Sequence, residues 1–416
     1  MAREPLYIQN MLQKQAKKKH LSFHTPGHKK KGWDITELSY SDNLSSPKGC
    51  LKQAQHSIAR ILGAHTSFIL TDGSTCGVLS MLYAAKEQGV KTVAFPLSSH
   101  KSVYNGCKLL GLTPLLLTSP VDLHSLQTRD SCIFQASDAL LLTSPDYYGH
   151  ILPLQELRAL CQEHHKLLLI DGAHGAHLHF NKTLYAGTYA DMWVDGVHKN
   201  LPAYTQGAVV SARTQELAET LACGVDIFRT TSPSYPIMQS VEYAIKYPQN
   251  HALEKAVFEY AKSQPRVQIN EDWTKLCVYL GEYAFQAEKQ LEKQGVYPEF
   301  CDGETIMFYL SPATKMRTFN TLKKVLARLF KTYPNITEKC VQRNPAPVVF
   351  DENAEKEWIN LQDGEARISA QNCGLFPPCT PLICLGQRIE KEQIERIQKA
   401  DNVFGVYEGK ILVFKE

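Results

Sequence analysis

Apolar residues recur along the middle of the chain with two different periods. Between about residues 65 and 260, short unbroken apolar runs stand at Phe68–Leu70, Thr92–Phe95, Pro114–Leu117, Ala139–Leu142, Leu167–Ile170, Met192–Val194 and Ala208–Ser211. Runs without polar alternation predict strands covered on both faces. Between them, Ser74–Lys86 and Leu154–His164 space their apolar residues as a helix does. Strands separated by helical stretches predict βαβ units and a mostly parallel sheet. Beyond about residue 265 the pattern changes. Ile306–Tyr309, Pro347–Phe350 and Ile411–Phe414 read as strands, and Thr318–Thr332 and Glu390–Ala400 as surface helices. The chain therefore divides into a polar, lysine-rich N-terminal segment (1–60), a large α/β domain (61–265) and an α+β C-terminal domain (266–416).

An open α/β sheet binds its ligands at the carboxyl ends of its strands. The apolar run Leu167–Ile170 ends in Asp171, and Met192–Val194 is followed by Asp195-Gly196 and then His198-Lys199. A carboxylate and an amine at the ends of neighbouring buried strands are what pyridoxal phosphate requires. The amine holds the cofactor as a Schiff base, and the carboxylate pairs with the ring nitrogen so that the ring can accept electrons. Ala173 is small enough to let a flat ring lie against the strand end. After Ile69-Leu70, the turn Thr71-Asp72-Gly73-Ser74-Thr75 opens a helix whose N-terminus, with the Ser74 and Thr75 hydroxyls, favours a phosphate. His100 follows the Val93-Ala94-Phe95 strand, where an imidazole can stack on the cofactor and touch the substrate carboxylate. His174, His177 and His179 beside Asp171 also admit a zinc reading. That reading has no helical ligand spacing to support it, and it leaves Lys199 and the Gly73-Ser74-Thr75 turn without a role.

Bulk properties narrow the classes. In 416 residues, 44% hydrophobic and 21% charged, there is ample material for a large core. A formal charge of +3 gives no reason to expect a nucleic-acid partner. The lysines at 14, 17, 18 and 19 and at 29 to 31 read as a solvated N-terminal face. No apolar run approaches the ~18 residues of a membrane span, so no membrane partner is expected. The N-terminus has no apolar signal-like core. Twelve cysteines without a C-x-x-C pair predict reduced thiols and a cytoplasmic protein.

Eight phrases in fixed order make the chain resemble the ornithine/lysine/arginine decarboxylases, fold-type-I pyridoxal phosphate enzymes, in a short form without the N-terminal wing domain. The first four are Phe23-His24-Thr25-Pro26-Gly27-His28-Lys29, Asp42-Asn43-Leu44 with Pro47 and Gly49, Ser99-His100-Lys101-Ser102, and Ser144-Pro145-Asp146-Tyr147-Tyr148-Gly149. Then come Asp171-Gly172-Ala173-His174-Gly175-Ala176-His177, His198-Lys199, Thr230-Thr231-Ser232-Pro233-Ser234-Tyr235 and Ala366-Arg367-Ile368-Ser369-Ala370. The resemblance implies a homodimer with shared sites, an amino-acid substrate and release of carbon dioxide to leave an amine. It implies Lys199 as the Schiff-base lysine, Asp171 as partner of the ring nitrogen and His100 stacked on the ring. Ala173 and His174 would lie beside the ring, and Ser74, Thr75 and His198 would hold the phosphate. Thr231 and Ser232 would reach the phosphate of the partner subunit.

The chain departs from the family pattern at four places. Gly196 replaces a serine that would hold phosphate, an expected loss of about 1–3 kcal/mol of cofactor binding. Gly172 replaces a glutamate. Cys379 and Gln387 replace a glycine and a glutamate in the C-terminal phrase expected at the substrate mouth, so the substrate is left open among arginine, lysine and ornithine. Two other outcomes fit the same fold: transamination or elimination, and a cofactor-binding protein with weakened catalysis. Release of carbon dioxide separates decarboxylation from both.

Overall fold

A computed structural model describes residues 4–19, 21–29, 32–118, 121–334, 354–375, 381–400 and 402–415. The predicted strand Pro347–Phe350 and the Cys379 position fall outside these residues.

The seven apolar runs of the middle region are seven strands of one sheet. They are β1 (Thr66–Leu70), β2 (Thr92–Pro96), β3 (Thr113–Leu117), β4 (Ala139–Thr143), β5 (Leu167–Gly172), β6 (Met192–Asp195) and β7 (Ala208–Ala212). Their spatial order is β1-β7-β6-β5-β4-β2-β3. The pairs among β2 to β6 are parallel, while β7 runs antiparallel to both β1 and β6. The unbroken apolar runs have a simple cause. In β5, Leu168 and Ile170 face one apolar cluster while Leu169 faces another on the opposite side, and all three are fully buried. Burying one such side chain contributes roughly 1.5–3 kcal/mol, so a strand covered on both sides needs apolar residues at every position.

Helices cover the two faces. Helix α1 (Tyr7–Ala16) lays Ile8 and Leu12 against the core, and α2 (Cys50–Leu62) lies beside it. The first amides of α1 are capped at a distance in sequence, because Glu242 accepts from the N–H of Tyr7 (2.7 Å) and of Ile8 (2.9 Å). That buried carboxylate is also paired with Lys246 at 2.9 Å. Helix α3 (Gly73–Glu87) follows β1, and α4 (Lys101–Leu110) follows β2.

The C-terminal region builds separate sheets. One has the order β10-β11-β9-β8, from β8 (Val267–Gln268), β9 (Lys275–Tyr279), β10 (Phe300–Cys301) and β11 (Thr305–Tyr309). The helix Met316–Thr332 contributes Phe319, Leu326 and Leu329 to the apolar cluster of this sheet. A further cluster gathers Leu361, Cys373, Ile383, Ile389, Ile394, Ile397, Ile411 and Val413, with Lys391–Lys399 as its helix. Among the described residues no helix is long and apolar enough to cross a membrane.

Asp195, at the end of β6, is fully buried, and its Oδ2 accepts from Tyr185 Oη (2.6 Å) and Trp193 Nε1 (3.1 Å). Burial pushes its carboxyl up to about 7 from the ordinary 3.8, against the pull of these two donors. A carboxyl whose pKa rises on folding binds its proton more tightly in the native state. Its contribution to stability is therefore greatest below about pH 4 and is lost as pH rises toward about 7. Asp195→Asn should flatten this part of the pH dependence. Urea unfolding of both proteins from pH 4 to 7 checks it, and parallel curves would remove Asp195 as the cause.

Candidate functional site

Six strands, β1 to β6, end at one edge of the large sheet, and the chemistry-bearing residues stand there. Asp171 is the penultimate residue of β5, 3% exposed, in register with Val194 of β6, and it accepts the Ala173 N–H at 3.1 Å. Lys199 lies in the single helical turn Val197–Asn200 that follows β6. Its Nζ is 2.9 Å from Nε2 of His174, three residues beyond Asp171. One short loop braces two of these segments. Gln206 O accepts the N–H of Gly73, and Gly207 O accepts both N–H and Nδ1 of His198, at 2.9–3.0 Å. Gly73 turns there with φ +75°.

His100 caps α4. Its Nδ1 accepts from Ser102 N–H at 3.2 Å and lies 2.8 Å from Ser102 Oγ, so the ring proton belongs on Nε2. Burial lowers the His100 pKa; Asp171 pulls it up, and Lys199 adds to the lowering. His174 is depressed well below the usual range by burial first, and then by the cations of Lys199 and Lys275. His198 is lowered by burial too. The site thus holds three neutral imidazoles around one amine.

The three histidines after Asp171 go to three different partners, which is a poor basis for a shared zinc. His174 faces Lys199 and Tyr309 Oη. His177 Nε2 is 2.7 Å from Asp272, and His179 Nδ1 is 2.7 Å from Ala176 O. Thr231 and Ser232 are exposed, and their segment touches the first turn through Thr230 N–H on Asp72 Oδ2 at 3.4 Å.

The C-terminal region supplies groups the sequence reading assigned no role. Fully buried Lys275, at the start of β9, donates to His174 O (2.8 Å) and to Asp272. Burial pushes the Asp272 carboxyl up, but His177 and Lys275 outweigh it and hold Asp272 well below the usual range. Tyr309 of β11, in register with Lys275, reaches His174 Nδ1. Tyr147 sets its ring edge-on to His174 at 4.9 Å and donates to Glu299 Oε1 at 2.8 Å. Tyr147 belongs to the Ser144–Gly149 phrase that carries the resemblance and could have been found there. Tyr309, Lys275 and Glu299 had no local signal, since only the docking of a second sheet brings them near.

The phrases that carry the resemblance also join in space. Asp42, at φ +70°, accepts the amides of Asn43, Lys48, Gly49 and Leu51. Tyr235 Oη donates to the carbonyls of Ser41 and Asp42, and Arg229 to that of Leu44. Arg367 pairs with Glu357 at 2.7 Å and holds Phe414 O at 3.0 Å, a structural arginine of the C-terminal cluster. Gln387 is fully buried, and its Oε1 accepts Cys384 N–H at 2.9 Å. It builds that turn.

Two departures share one cause. A Cβ at Gly196 would stand 2.3 Å from Ala173 O and 2.9 Å from Ser74 Oγ, and one at Gly172 would stand 2.9 Å from Val194 O. The ends of β5 and β6 approach so closely that neither position admits a side chain without movement of the backbone. The buried Ser74 Oγ, which has no hydrogen-bond partner among the described residues, lies beside the place that a serine at 196 would fill. Ser74 Oγ thus takes up part of the space that a serine at 196 would need. That orphaned hydroxyl, the helix N-terminus at Gly73, Asp171 and Lys199 together fit pyridoxal phosphate.

This sheet order, with an amine and a carboxylate on adjacent strand ends, is that of a fold-type-I pyridoxal phosphate enzyme. The constitutive lysine decarboxylase of Escherichia coli superposes with a TM-score of 0.76 at 16% identity, over 99% of this chain and 82% of that one. The family described as Orn/Lys/Arg decarboxylase, major domain, matches residues 32–275. The chain belongs to that family, and is a pyridoxal phosphate-dependent amino-acid decarboxylase. It is 27% identical to the uncharacterized protein YaaO of Bacillus subtilis, over 95% of this chain and 94% of that one. An arginine decarboxylase of the same organism is 25% identical, over 95% of this chain and 93% of its own length.

Restoring the family serine should harm this site. Gly196→Ser should lower the melting temperature and weaken cofactor binding at least tenfold, as overpacking against backbone costs about 1–3 kcal/mol. Thermal melts and a cofactor titration check this, and tighter binding in the variant would refute the close-approach argument.

Proposed function

We propose that the protein removes the α-carboxylate of a basic amino acid, arginine foremost, leaving agmatine or the corresponding diamine. The observation that carries the proposal is the convergence of Lys199 Nζ, His174 Nε2 and buried Asp171 at the ends of β5 and β6. The arginine decarboxylases that align along nearly the whole chain support the choice of substrate.

In this reading Lys199 carries the cofactor and Asp171 holds a proton on its ring nitrogen. Ala173 would leave room for the flat ring and His100 would stack on it, presenting Nε2–H to the substrate carboxylate. Ser74, Thr75 and His198 hold the phosphate. Thr231 and Ser232, exposed in one protomer, complete the phosphate site of a partner subunit in a homodimer. When bound, pyridoxal phosphate accepts the electron pair left behind as carbon dioxide departs. The residues around it manage protons. His174, kept neutral, exchanges a proton between its Nε2 and Lys199 Nζ, while Tyr309 Oη at Nδ1 fixes the tautomer. The depressed His100 also stays neutral, so no second cation competes with the substrate amine at that face.

Borohydride should fix the cofactor to Lys199, as peptide mapping would establish; label on any other lysine would overturn the assignment. Arginine, lysine and ornithine, each incubated with the holoenzyme, should yield carbon dioxide from at least one. Asp171→Ala should keep the cofactor attached while turnover falls by a factor of about a thousand or more, since an unprotonated ring is a poor electron acceptor. Near-normal turnover in that variant would exclude Asp171 from its role.

A further inference from the structure

The hairpin of β10 and β11 puts one carboxylate beside the site. Glu299 immediately precedes β10, and its N–H is tied to Met307 O of β11 at 2.9 Å. Its Oε1 accepts from Tyr147 Oη at 2.8 Å. Tyr147 in turn lies edge-on to His174, whose Nε2 is 2.9 Å from Lys199 Nζ. The carboxylate is thus separated from the amine by the breadth of one phenol and one imidazole, within reach of an extended basic side chain.

Two properties mark Glu299 as a cleft residue. Its side chain is open to solvent, yet the surrounding protein desolvates it enough to raise its pKa. The Tyr147 hydrogen bond and the nearby charges of Lys199 and Lys275 pull the other way. Solvent access combined with close surrounding mass describes a wall of a cleft, since a group on the convex surface would have the first without the second. Among the described residues no cation lies within ion-pair distance of Glu299, and its hydrogen-bond partner there is the Tyr147 phenol. A partly desolvated carboxylate with one neutral partner gains most from an incoming cation.

The flanking surface is aromatic. Tyr147 meets Phe300 at 5.3 Å and Tyr309 at 5.8 Å between ring centroids. One face of Tyr309 already carries a cation, Lys275 Nζ, at 5.1 Å. Aromatic rings beside a carboxylate suit a planar guanidinium, which stacks and binds in a two-pronged fashion, better than a compact ammonium.

We propose that Glu299 is the subsite for the distal cation of the substrate, and that the ligand class at this site is an α-amino acid ending in a guanidinium or, less tightly, an ammonium group. The subsite is built within one protomer, from the β10–β11 hairpin and the Tyr147 loop. The proposal deepens the decarboxylase reading and rests on it for the position of the substrate's reacting end.

The test separates the two. Agmatine has the guanidinium but no α-carboxylate, so its binding to the holoenzyme needs no turnover; n-pentylamine serves as the uncharged-tail control. Isothermal titration should find agmatine bound at least tenfold more tightly than pentylamine by the wild type. Glu299→Gln should weaken agmatine by about tenfold to a hundredfold, the worth of a hydrogen bond to a charged group. The same variant should leave pentylamine affinity, cofactor absorbance and melting temperature within error. Glu299→Asp, which keeps the charge, should recover most of the loss. With arginine as substrate, KM should rise in Glu299→Gln by more than kcat falls. Undiminished agmatine affinity in Glu299→Gln, equal losses in the Gln and Asp variants, or no preference for agmatine in the wild type would each overturn the subsite, even with carbon dioxide released. If the wild type releases no carbon dioxide while Glu299→Gln still loses agmatine affinity, the subsite stands and the decarboxylase reading falls.

Discussion

The site depends on a buried ion cluster that joins two sheets. Lys275 has no exposed surface, and neither does Asp272, so each charge has left water and must be compensated by the other. His177 supplies a second donor to Asp272, and Thr274 a third through Oγ1 at 2.7 Å. Lys275 also holds the carbonyl of His174. Removing either charged partner would leave the other buried and unpaired, a cost of about 3–5 kcal/mol. The cluster therefore fixes the C-terminal sheet against the strand-end loop after β5. It is this docking that brings Tyr309 onto the imidazole beside Lys199.

Much of the large domain was legible in the sequence for a simple reason. A strand with both faces covered has to be apolar at every position, and Leu140 to Leu142 and Leu168 to Ile170 announce it. The strand-end positions of Lys199, Asp171 and His100 were legible, because a polar residue after an apolar run stands out there. The C-terminal contributors were not. Tyr309 closes an ordinary apolar strand, Lys275 looks like a surface lysine, and Glu299 lies in a short connection. Their positions near the site come from the docking of one sheet on another, which leaves no local period.

Gly196 and Gly172 illustrate a different limit. Each looks, in sequence, like the loss of a useful side chain. In space the two glycines belong to one event, the close approach of the β5 and β6 ends, and Ser74 Oγ lies beside the volume that a serine at 196 would occupy. A substitution judged against a family pattern one position at a time misses a shared steric cause of this kind. Gln387 likewise looks like a loss in sequence, while in space its buried amide builds a turn.

The loop at Gln206 and Gly207 has a consequence for how the site comes apart. Its two consecutive carbonyls hold the turn at Gly73, where α3 begins, and His198, next to Lys199. The segments proposed to hold the phosphate end and the aldehyde end of the cofactor are therefore clasped by the same peptide segment. Local opening of that segment would free both at once, so under the proposed assignment the two ends of the cofactor would be gripped or let go as one cooperative unit.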